Sequence, residues 1–293
     1  MSAAEAVTRP VRRKPRDTWR LTGNVFLAIL TAFSALPMLW MLLTSVKGQF
    51  AALQYPPQWI PTNPTLEQYR RLLSPASDVG REFLTYMLNS LIVSTATTVL
   101  GLVVAVPAAY AFSRFRFPGR NLLFYSVLLR NMFPAVVFLM PLFILMRWLG
   151  LVNTHASLIL TYLTFGLPLS IWLLKGFYDN IPVQLEQAAR IDGASRFQAF
   201  LLVVMPLSSP GIIATAIYTF IIAWNEYIYA LTFLNDQSKM TLPVGLQYFF
   251  TEYATNWPGL MAASFIMSVP VVAMFLVLQK YFVRALTEGA VKS

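Results

Sequence analysis

The chain contains no cysteine and only one histidine, His155, among its 293 residues. Without cysteine it has no disulfide framework and no thiolate-based zinc or iron–sulfur site. The chain therefore has no Cys-His nucleophile pair, and His155 is the only histidine that could serve a Ser-His pair. We therefore expect no metal, no cofactor and no enzymatic chemistry on this chain.

Charged residues are scarce as well. Asp, Glu, Lys and Arg make up 12% of the chain, whereas hydrophobic residues make up 57%. Soluble domains carry about 25% charged residues, so this balance and a mean hydropathy of +0.60 indicate an integral membrane protein. The phosphate-loop pattern G-x-x-x-x-G-K-[ST] is also absent. If ATP drives this protein, the hydrolysis therefore takes place on another chain.

Six apolar stretches are long enough to cross a hydrocarbon layer of about 30 Å as helices. They cover residues 24–46, 84–112, 122–146, 156–177, 210–233 and 260–282. The first is too long for the apolar part of a signal peptide, so we expect it to remain in the mature protein. Prolines occur within the stretches, and we expect kinks there, since membrane helices tolerate them. The predicted fold is all-α, a polytopic membrane protein with six transmembrane helices.

The positions of Lys and Arg predict how the chain is oriented, because cytoplasmic loops are enriched in them. One assignment puts 15 of the 22 basic residues on one side, together with both termini. Residues 1–23 are then a cytoplasmic basic arm, residues 47–83 an extracytoplasmic loop and residues 285–293 a cytoplasmic tail. The arm suits an anionic membrane surface. A nucleic-acid-binding arm is the alternative. However, the basic residues behind the net charge of +10 are concentrated on one side of the predicted spans, as in membrane proteins.

One cytoplasmic segment, residues 178–206, interrupts the apolar pattern with the charged sequence EQAARIDGASRF. Good helix formers precede Gly193, a residue able to adopt a positive φ. Ser195 and Gln198 then form a capping-box pattern that starts a second helix, which Pro206 ends. We expect two short helices joined at a corner, and residues 178–206 are called the hairpin below.

The apolar residues of the hairpin are expected to form one surface. They are Leu185, Ala188, Ala189, Phe197, Phe200 and Leu201. Small residues around Gly193 leave the corner open to the close approach of another protein. Two interpretations remain open on these residues alone: the hairpin docks on a partner, or it lies flat in the lipid headgroups as an amphipathic structure.

The stretch EQAARIDGASRFQAFLLVVMPLSSPG resembles the EAA loop of ABC-importer permeases, whose pattern runs E-A-A, three residues, G, and later I-x-L-P. The E-A-A positions hold Gln187, Ala188 and Ala189, and the D-G-A positions hold Asp192, Gly193 and Ala194. Glutamine thus replaces the usual glutamate at 187, with Glu186 one position earlier. The stretches NSLIVSTATTVLGLVVAVPAAYAFSRFRFPGR and AWNEYIYALTFLN are similar to the MalG-like permeases of the carbohydrate-uptake subgroup.

The resemblance covers about residues 24–284 and implies that this transmembrane permease domain has the type I permease fold of ABC importers. It implies one permease of a heteromeric ATP-driven importer for a sugar or related solute, in a bacterial plasma membrane. The implied partners are a second, MalF-like permease, two ATPase subunits, an extracytoplasmic solute-binding protein, the carbohydrate and membrane lipid, with no nucleic acid. A self-contained secondary carrier is the alternative, although the sequence shows no convincing internal repeat.

The resemblance also assigns roles to residues of the hairpin. The residues implied to couple the permease to the ATPase are Glu186, Gln187, Ala188, Ala189, Asp192, Gly193 and Ala194. In this family the loop inserts into a groove of the ATPase subunit. A contact that depends on a charge at position 187 is not available to this chain.

Two charged residues, Arg130 and Glu226, lie well inside predicted spans, away from the span ends. A charge at membrane depth costs about 2.5–3.5 kcal/mol on insertion scales and therefore indicates a function. Asn225, Glu226, Tyr227 and Arg130 are candidates for the substrate pathway, since aromatic faces and hydrogen-bonding groups suit a sugar. The alternative is that Glu226 pairs with a cation such as Arg130, or lines the gate between the two permeases.

Overall fold

The computed structural model describes the backbone of residues 18–250 and 255–290, and their side chains except at 18–20, 248 and 280–290. Residues 1–17 of the basic arm and residues 291–293 of the tail lie outside the described residues. The first helix already begins at Thr18 and the last extends to Ala290. Both helices therefore reach beyond the bounds of 24 and 284 expected for the permease domain.

Helices dominate the described part of the chain, and no β-strand occurs in it. The α-helices, in chain order, are α1 (Thr18–Ser45), α2 (Gln49–Ala52), α3 (Glu67–Leu73), α4 (Asp78–Arg114), α5 (Arg120–Leu129), α6 (Leu139–Trp148), α7 (His155–Asp179), α8 (Val183–Ile191), α9 (Arg196–Ala199), α10 (Met205–Leu207), α11 (Ser209–Asn225), α12 (Ile228–Phe233), α13 (Leu242–Gly245) and α14 (Trp257–Ala290). Four of them, α1, α4, α7 and α14, are long and apolar enough to cross a membrane, and the count is six if each of two bent helix pairs is one span. The predicted all-α fold is confirmed.

The third span is sharply bent rather than straight. Helix α5 continues as a 3-10 turn, Arg130–Met132, and a second turn, Ala135–Phe138, leads into α6. The two halves meet at an angle of 101°. Phe133 is extended at φ −94° and ψ 135°, because the ring of the following Pro134 disfavours the helical conformation of its neighbour. The kink expected from proline is thereby located.

The expected fifth span, 210–233, is interrupted. Helix α11 ends at Asn225, Glu226 is extended with a ψ of 132°, and α12 begins at Ile228. Neither proline nor glycine marks this break in the sequence. The prediction of one continuous helix was therefore wrong, and the reason is tertiary: the side chain of Glu226 has partners elsewhere, as described below.

The loop of residues 47–83 contains the helices α2 and α3. The sequence predicts Thr65 as the N-cap of the second helix, with Gln68 completing a capping box. Instead the helix begins at Glu67 with Leu66 at the N-cap position. Thr65 Oγ1 accepts a hydrogen bond from the Glu67 N–H at 3.2 Å, so the hydroxyl caps the helix from one position further away than predicted.

Helices α4, α7 and α11 pack together through small residues. A Cβ atom added at Gly101 or Gly166 would lie 3.6 or 3.5 Å from Thr219 Cγ2. The Ser170 and Thr219 hydroxyl oxygens are 3.2 Å apart. In a membrane, hydrophobic burial does not drive helices together. Helices associate there because small residues let their backbones approach closely and because hydroxyl groups form hydrogen bonds between them. This three-helix packing positions the ends of α4 and α7 beneath the hairpin.

Candidate functional site

The corner of the hairpin and the cap of its second helix form as the sequence predicts. Helix α8 ends at Ile191, and Gly193 adopts a φ of +95°, a conformation that costs glycine little. The Gln198 N–H donates to Ser195 Oγ at 3.2 Å, and the Ser195 N–H donates to Gln198 Oε1 at 2.8 Å. The capping box is thus complete and starts α9. A five-residue π-helix, Phe200–Val204, follows and leads directly into α10, and the chain bends by 74° before α11. The prediction that Pro206 ends the second helix was therefore wrong: Pro206 lies in the first turn of α10, where proline is tolerated, and the helix continues to Leu207.

A buried ion pair connects the hairpin to the end of α4. Arg114 Nε lies 2.5 Å from Glu186 Oε1, and each of the two side chains is only 9% exposed. The Tyr110 hydroxyl donates to Glu186 Oε2 at 2.7 Å. Arg114 Nη2 also donates to the Ile181 carbonyl oxygen at 2.7 Å. Both charges are therefore hydrogen-bonded inside the protein, and Glu186 faces α4 rather than the outer surface of the hairpin.

A second polar cluster joins the ends of α4 and α7 next to this ion pair. The Ser113 hydroxyl donates to Asp179 Oδ1 at 2.6 Å, and Lys175 Nζ donates to Asp179 Oδ2 at 2.5 Å. Together the two clusters fix the base of the hairpin to two membrane-crossing helices.

Aromatic packing supplies the apolar part of the same attachment. Phe200 lies with its ring centroid 4.5 Å from that of Tyr110 and 6.4 Å from that of Tyr178. It is 7% exposed, and Val204 is fully buried beside it. The prediction that Phe200 belongs to the outer apolar surface was wrong, because the π-helix turns this side chain toward α4 and α7.

The outer surface of the hairpin is instead formed by residues on either side of the corner. Ile191 is 86% exposed and Phe197 68%. Ile191 was not among the predicted surface residues. Its position directly before Asp192 and Gly193 at the corner could have indicated that it is exposed. Of the predicted coupling residues, Gln187, Ala188, Asp192 and Gly193 are exposed, and Ala189 and Ala194 are partly buried. A Cβ added at Gly193 would have no atom within 4 Å, so the corner is open.

The carboxylate of Glu226 accepts three hydrogen bonds at the break in the fifth span. The Tyr162 hydroxyl donates to Oε2 at 2.7 Å. The backbone N–H groups of Tyr229 and Ala230 donate at 3.0 and 3.2 Å. The carboxylate thereby caps the first turn of α12, where unpaired N–H groups and the helix dipole favour a negative charge.

Arg130 lies near the break in the third span and stacks on aromatic rings. Its guanidinium carbon is 3.4 Å from the centroid of the Phe165 ring and 5.4 Å from that of Phe138. Its Nη1 donates to Asn131 Oδ1 at 3.1 Å. No ion pair between Arg130 and Glu226 occurs among the described residues, so the hypothesis that these two residues pair was wrong.

The two breaks are nevertheless neighbours. The Tyr229 hydroxyl donates to the Ala135 carbonyl oxygen at 2.7 Å, which joins α12 to the turn after Pro134. Asn225 is exposed beside the break and donates to the Ile221 carbonyl oxygen at 2.9 Å. Tyr227 packs partly buried against the adjacent core. Sequence patterns did not identify Tyr162 or Phe165, since aromatic residues are common throughout the spans.

Comparison with known proteins gives the family. Residues 97–288 match the family described as binding-protein-dependent transport system inner membrane component. The chain belongs to this family. Its members are transport components of the inner membrane rather than enzymes, and this permease is therefore an integral membrane transport subunit. The resemblance noted in the sequence is confirmed.

Two similar relatives are sugar permeases by name. The chain is 38% identical to the trehalose/maltose transport system permease protein MalG of Thermococcus litoralis, over 93% of this permease and 95% of the relative. It is 35% identical to the trehalose transport system permease protein SugB of Mycobacterium tuberculosis, over 90% and 94% of the two chains.

A solved structure shares the fold. It is the crystal structure of a bacterial ABC transporter involved in the import of the acidic polysaccharide alginate, with a TM-score of 0.75 and 24% identity. The match covers 92% of this permease and 99% of that chain. The predicted ABC-importer permease fold is thereby confirmed.

Proposed function

We propose that this permease forms half of the translocation pathway of a heteromeric ATP-driven importer for a sugar. The support is the similarity to permeases named for trehalose and maltose over more than nine-tenths of their length. The remaining subunits are a second, MalF-like permease, two ATPase subunits and an extracytoplasmic solute-binding protein. Neither the chain nor its hairpin offers a nucleotide-binding motif, so ATP acts from a separate subunit.

The hairpin is the proposed coupling element. The observation that carries this assignment is its attachment: the Glu186–Arg114 ion pair and the buried Phe200 fix it to α4 and α7, while its glycine corner is open. A rigidly attached element moves two membrane helices when a partner displaces it. A loosely attached amphipathic helix lying in the headgroups would not need a buried ion pair.

The proposed substrate pathway runs past the adjoining breaks in the third and fifth spans. Glu226 is satisfied by three donors of the same chain, so we assign it to holding the break rather than to binding the solute. Asn225, Tyr227 and Arg130 are the residues of this region proposed to line the pathway. Broken spans at membrane depth are tolerated where backbone lines a cavity or is buried in protein.

We assign both termini and the hairpin to the cytoplasm on the distribution of Lys and Arg. The absence of cysteine makes a direct test simple, because one introduced cysteine is then the only thiol. Arg116→Cys and Gln237→Cys place single thiols at exposed sites on the two predicted sides. In intact cells a membrane-impermeant maleimide should label only the cysteine at 237. Labelling of the cysteine at 116 alone would reverse the orientation.

Transport in the native host tests the function. A strain that lacks the gene should lose uptake of radiolabelled trehalose or maltose, and the wild-type gene should restore it. ATP depletion should stop this uptake, whereas a protonophore should not stop it while ATP is maintained. Uptake that stops with the protonophore and continues without ATP would establish a secondary carrier instead. Uptake of both sugars that does not depend on the gene would contradict the sugar assignment.

A further inference from the structure

A small cleft lies between the hairpin and the end of α4. Its volume is about 160 Å³. Its polar lining comes from Tyr110, Arg114, Glu186, Gln187, Arg190 and Arg196. The cleft therefore combines three guanidinium groups with one carboxylate, and its charge depends on which of these groups neutralise one another.

The Arg114 charge is compensated, because Glu186 pairs with it. Arg190 and Arg196 have no acceptor among the described residues, and both are exposed. Asp192 is not part of the lining. Two uncompensated guanidinium groups thus face one small space, where an oxyanion could accept from both.

Position 187 decides how strongly cationic the cleft is. A glutamate there, as in the family pattern, would place a carboxylate among the lining groups next to Arg190 and Arg196. Gln187 has the same length without the charge, and its amide offers donors as well as an acceptor. This chain therefore leaves both arginines available to an anion from outside.

The surroundings of the cleft indicate that this anion belongs to a protein. Ile191 and Phe197, which flank the corner, are 86% and 68% exposed. Exposed apolar and aromatic side chains beside arginines are typical of the energetically important part of protein interfaces. A free inorganic anion would gain nothing from this apolar surface.

We infer that the cleft receives a carboxylate side chain of the ATPase subunit, held between Arg190 and Arg196, while Ile191 and Phe197 pack on apolar residues of the same groove. This inference rests on the proposed function of the hairpin. It also assigns a chemistry to the groove of the ATPase subunit. The family pattern has a glutamate at position 187, whereas this chain has Gln187, and we therefore expect the group that faces it in the groove to be acidic.

The test measures the affinity of the ATPase subunit for the complete permease pair in nanodiscs, at several NaCl concentrations. The ATPase subunit is the one that copurifies with the tagged wild-type chain and contains a phosphate-loop sequence. Three variants are compared with the wild type. They are the double variant Arg190→Gln/Arg196→Gln, the single variant Gln187→Glu and the control Arg116→Gln, an exposed arginine outside the cleft.

The double variant should weaken binding at least about tenfold and flatten its dependence on salt, because it removes the charge-assisted contacts. Gln187→Glu should also weaken binding, since the added carboxylate neutralises the arginines. Arg116→Gln should bind like the wild type. Copurification of the second permease with every variant shows that each chain is folded.

The sign of the Gln187→Glu effect is the sharpest outcome. Stronger binding by this variant would overturn the inference, because it would show that the groove is basic at this point. Unchanged binding by the double variant would overturn it as well. An effect of the double variant in phosphatidylglycerol nanodiscs that vanishes in phosphatidylcholine would assign the arginines to lipid and also overturn it. Absence of ATPase binding by the wild type would instead refute the proposed function of the hairpin itself.

Discussion

Replacing both partners of the Glu186–Arg114 ion pair should destabilise the protein by less than the sum of the two single replacements. Each side chain is only 9% exposed and is hydrogen-bonded to further groups. Loss of one charge from a buried pair typically costs about 3–5 kcal/mol, because the other charge remains without compensation. We expect costs in this range for Arg114→Met and for Glu186→Leu.

The double variant Arg114→Met/Glu186→Leu leaves no unpaired charge. Apolar residues of similar volume are often neutral or stabilising in place of a buried ion pair. The Tyr110 hydroxyl and the Ile181 carbonyl oxygen lose their partners, and this loss costs about 1–3 kcal/mol for each buried group left unsatisfied. The double variant should therefore lose about 2–6 kcal/mol, which is less than the roughly 6–10 kcal/mol sum of the two single losses.

Thermal unfolding of the purified chain, followed by tryptophan fluorescence, measures the order of stabilities. Arg116→Met, at an exposed site outside the pair, is the control and should match the wild type. In reconstituted importer the single variants should also hydrolyse more ATP per sugar transported, because the hairpin is less firmly attached to α4. A double variant whose loss equals the sum of the two single losses would refute the reasoning, since additive effects mean that the residues do not interact.

Three further predictions concern single positions. Gly193→Val should uncouple ATP hydrolysis from uptake while the chain still inserts into the membrane, because a β-branched residue is strained at a φ of +95°. Gly193→Asn should have a milder effect, since asparagine tolerates positive φ better, and normal uptake by Gly193→Val would contradict the prediction. Gly211→Ala should lower the unfolding temperature, since the new Cβ would lie 2.4 Å from Phe177 Cγ. The control Gly176→Ala should leave the unfolding temperature unchanged, because its Cβ meets no atom within 4 Å. Equal unfolding temperatures of the two variants would refute the packing argument. Glu226→Ala should reduce thermal stability by about 1–3 kcal/mol for each buried donor left unsatisfied. Glu226→Gln should reduce stability less, because the glutamine side chain keeps an acceptor. A wild-type unfolding curve for Glu226→Ala would show that the capping of α12 is unimportant.

Local features of the hairpin were predictable because they depend on neighbouring residues. Gly193 and the Ser195–Gln198 pair specify a corner and a cap within a few positions, and both occur as predicted. The apolar lengths of the spans likewise follow from composition. The bend at Pro134 was predictable for the same local reason, although its size of 101° was not.

Long-range partners were not predictable from the sequence. Glu186 and Arg114 are 72 positions apart, and a charged residue in a helical pattern carries no sign of whether it faces a partner subunit or its own chain. The break at Glu226 depends on Tyr162, 64 positions away. One alternative paired Arg130 with Glu226, whereas aromatic faces accommodate the guanidinium group. In each case the deciding contact comes from packing, which a single sequence does not encode as a pattern.

The most direct test of the account is mild-detergent purification of the tagged chain from its native host, with mass spectrometry of the proteins that remain bound. Gly193→Asp and Gly150→Asp are purified alongside. Both glycines have positive φ and open space around them, but only Gly193 lies in the hairpin. We predict that an ATPase subunit and a second permease copurify with the wild type and with Gly150→Asp, and that Gly193→Asp loses the ATPase alone. Recovery of the ATPase with Gly193→Asp, or of the wild-type chain without any partner, would contradict the assignment of the hairpin as the coupling element.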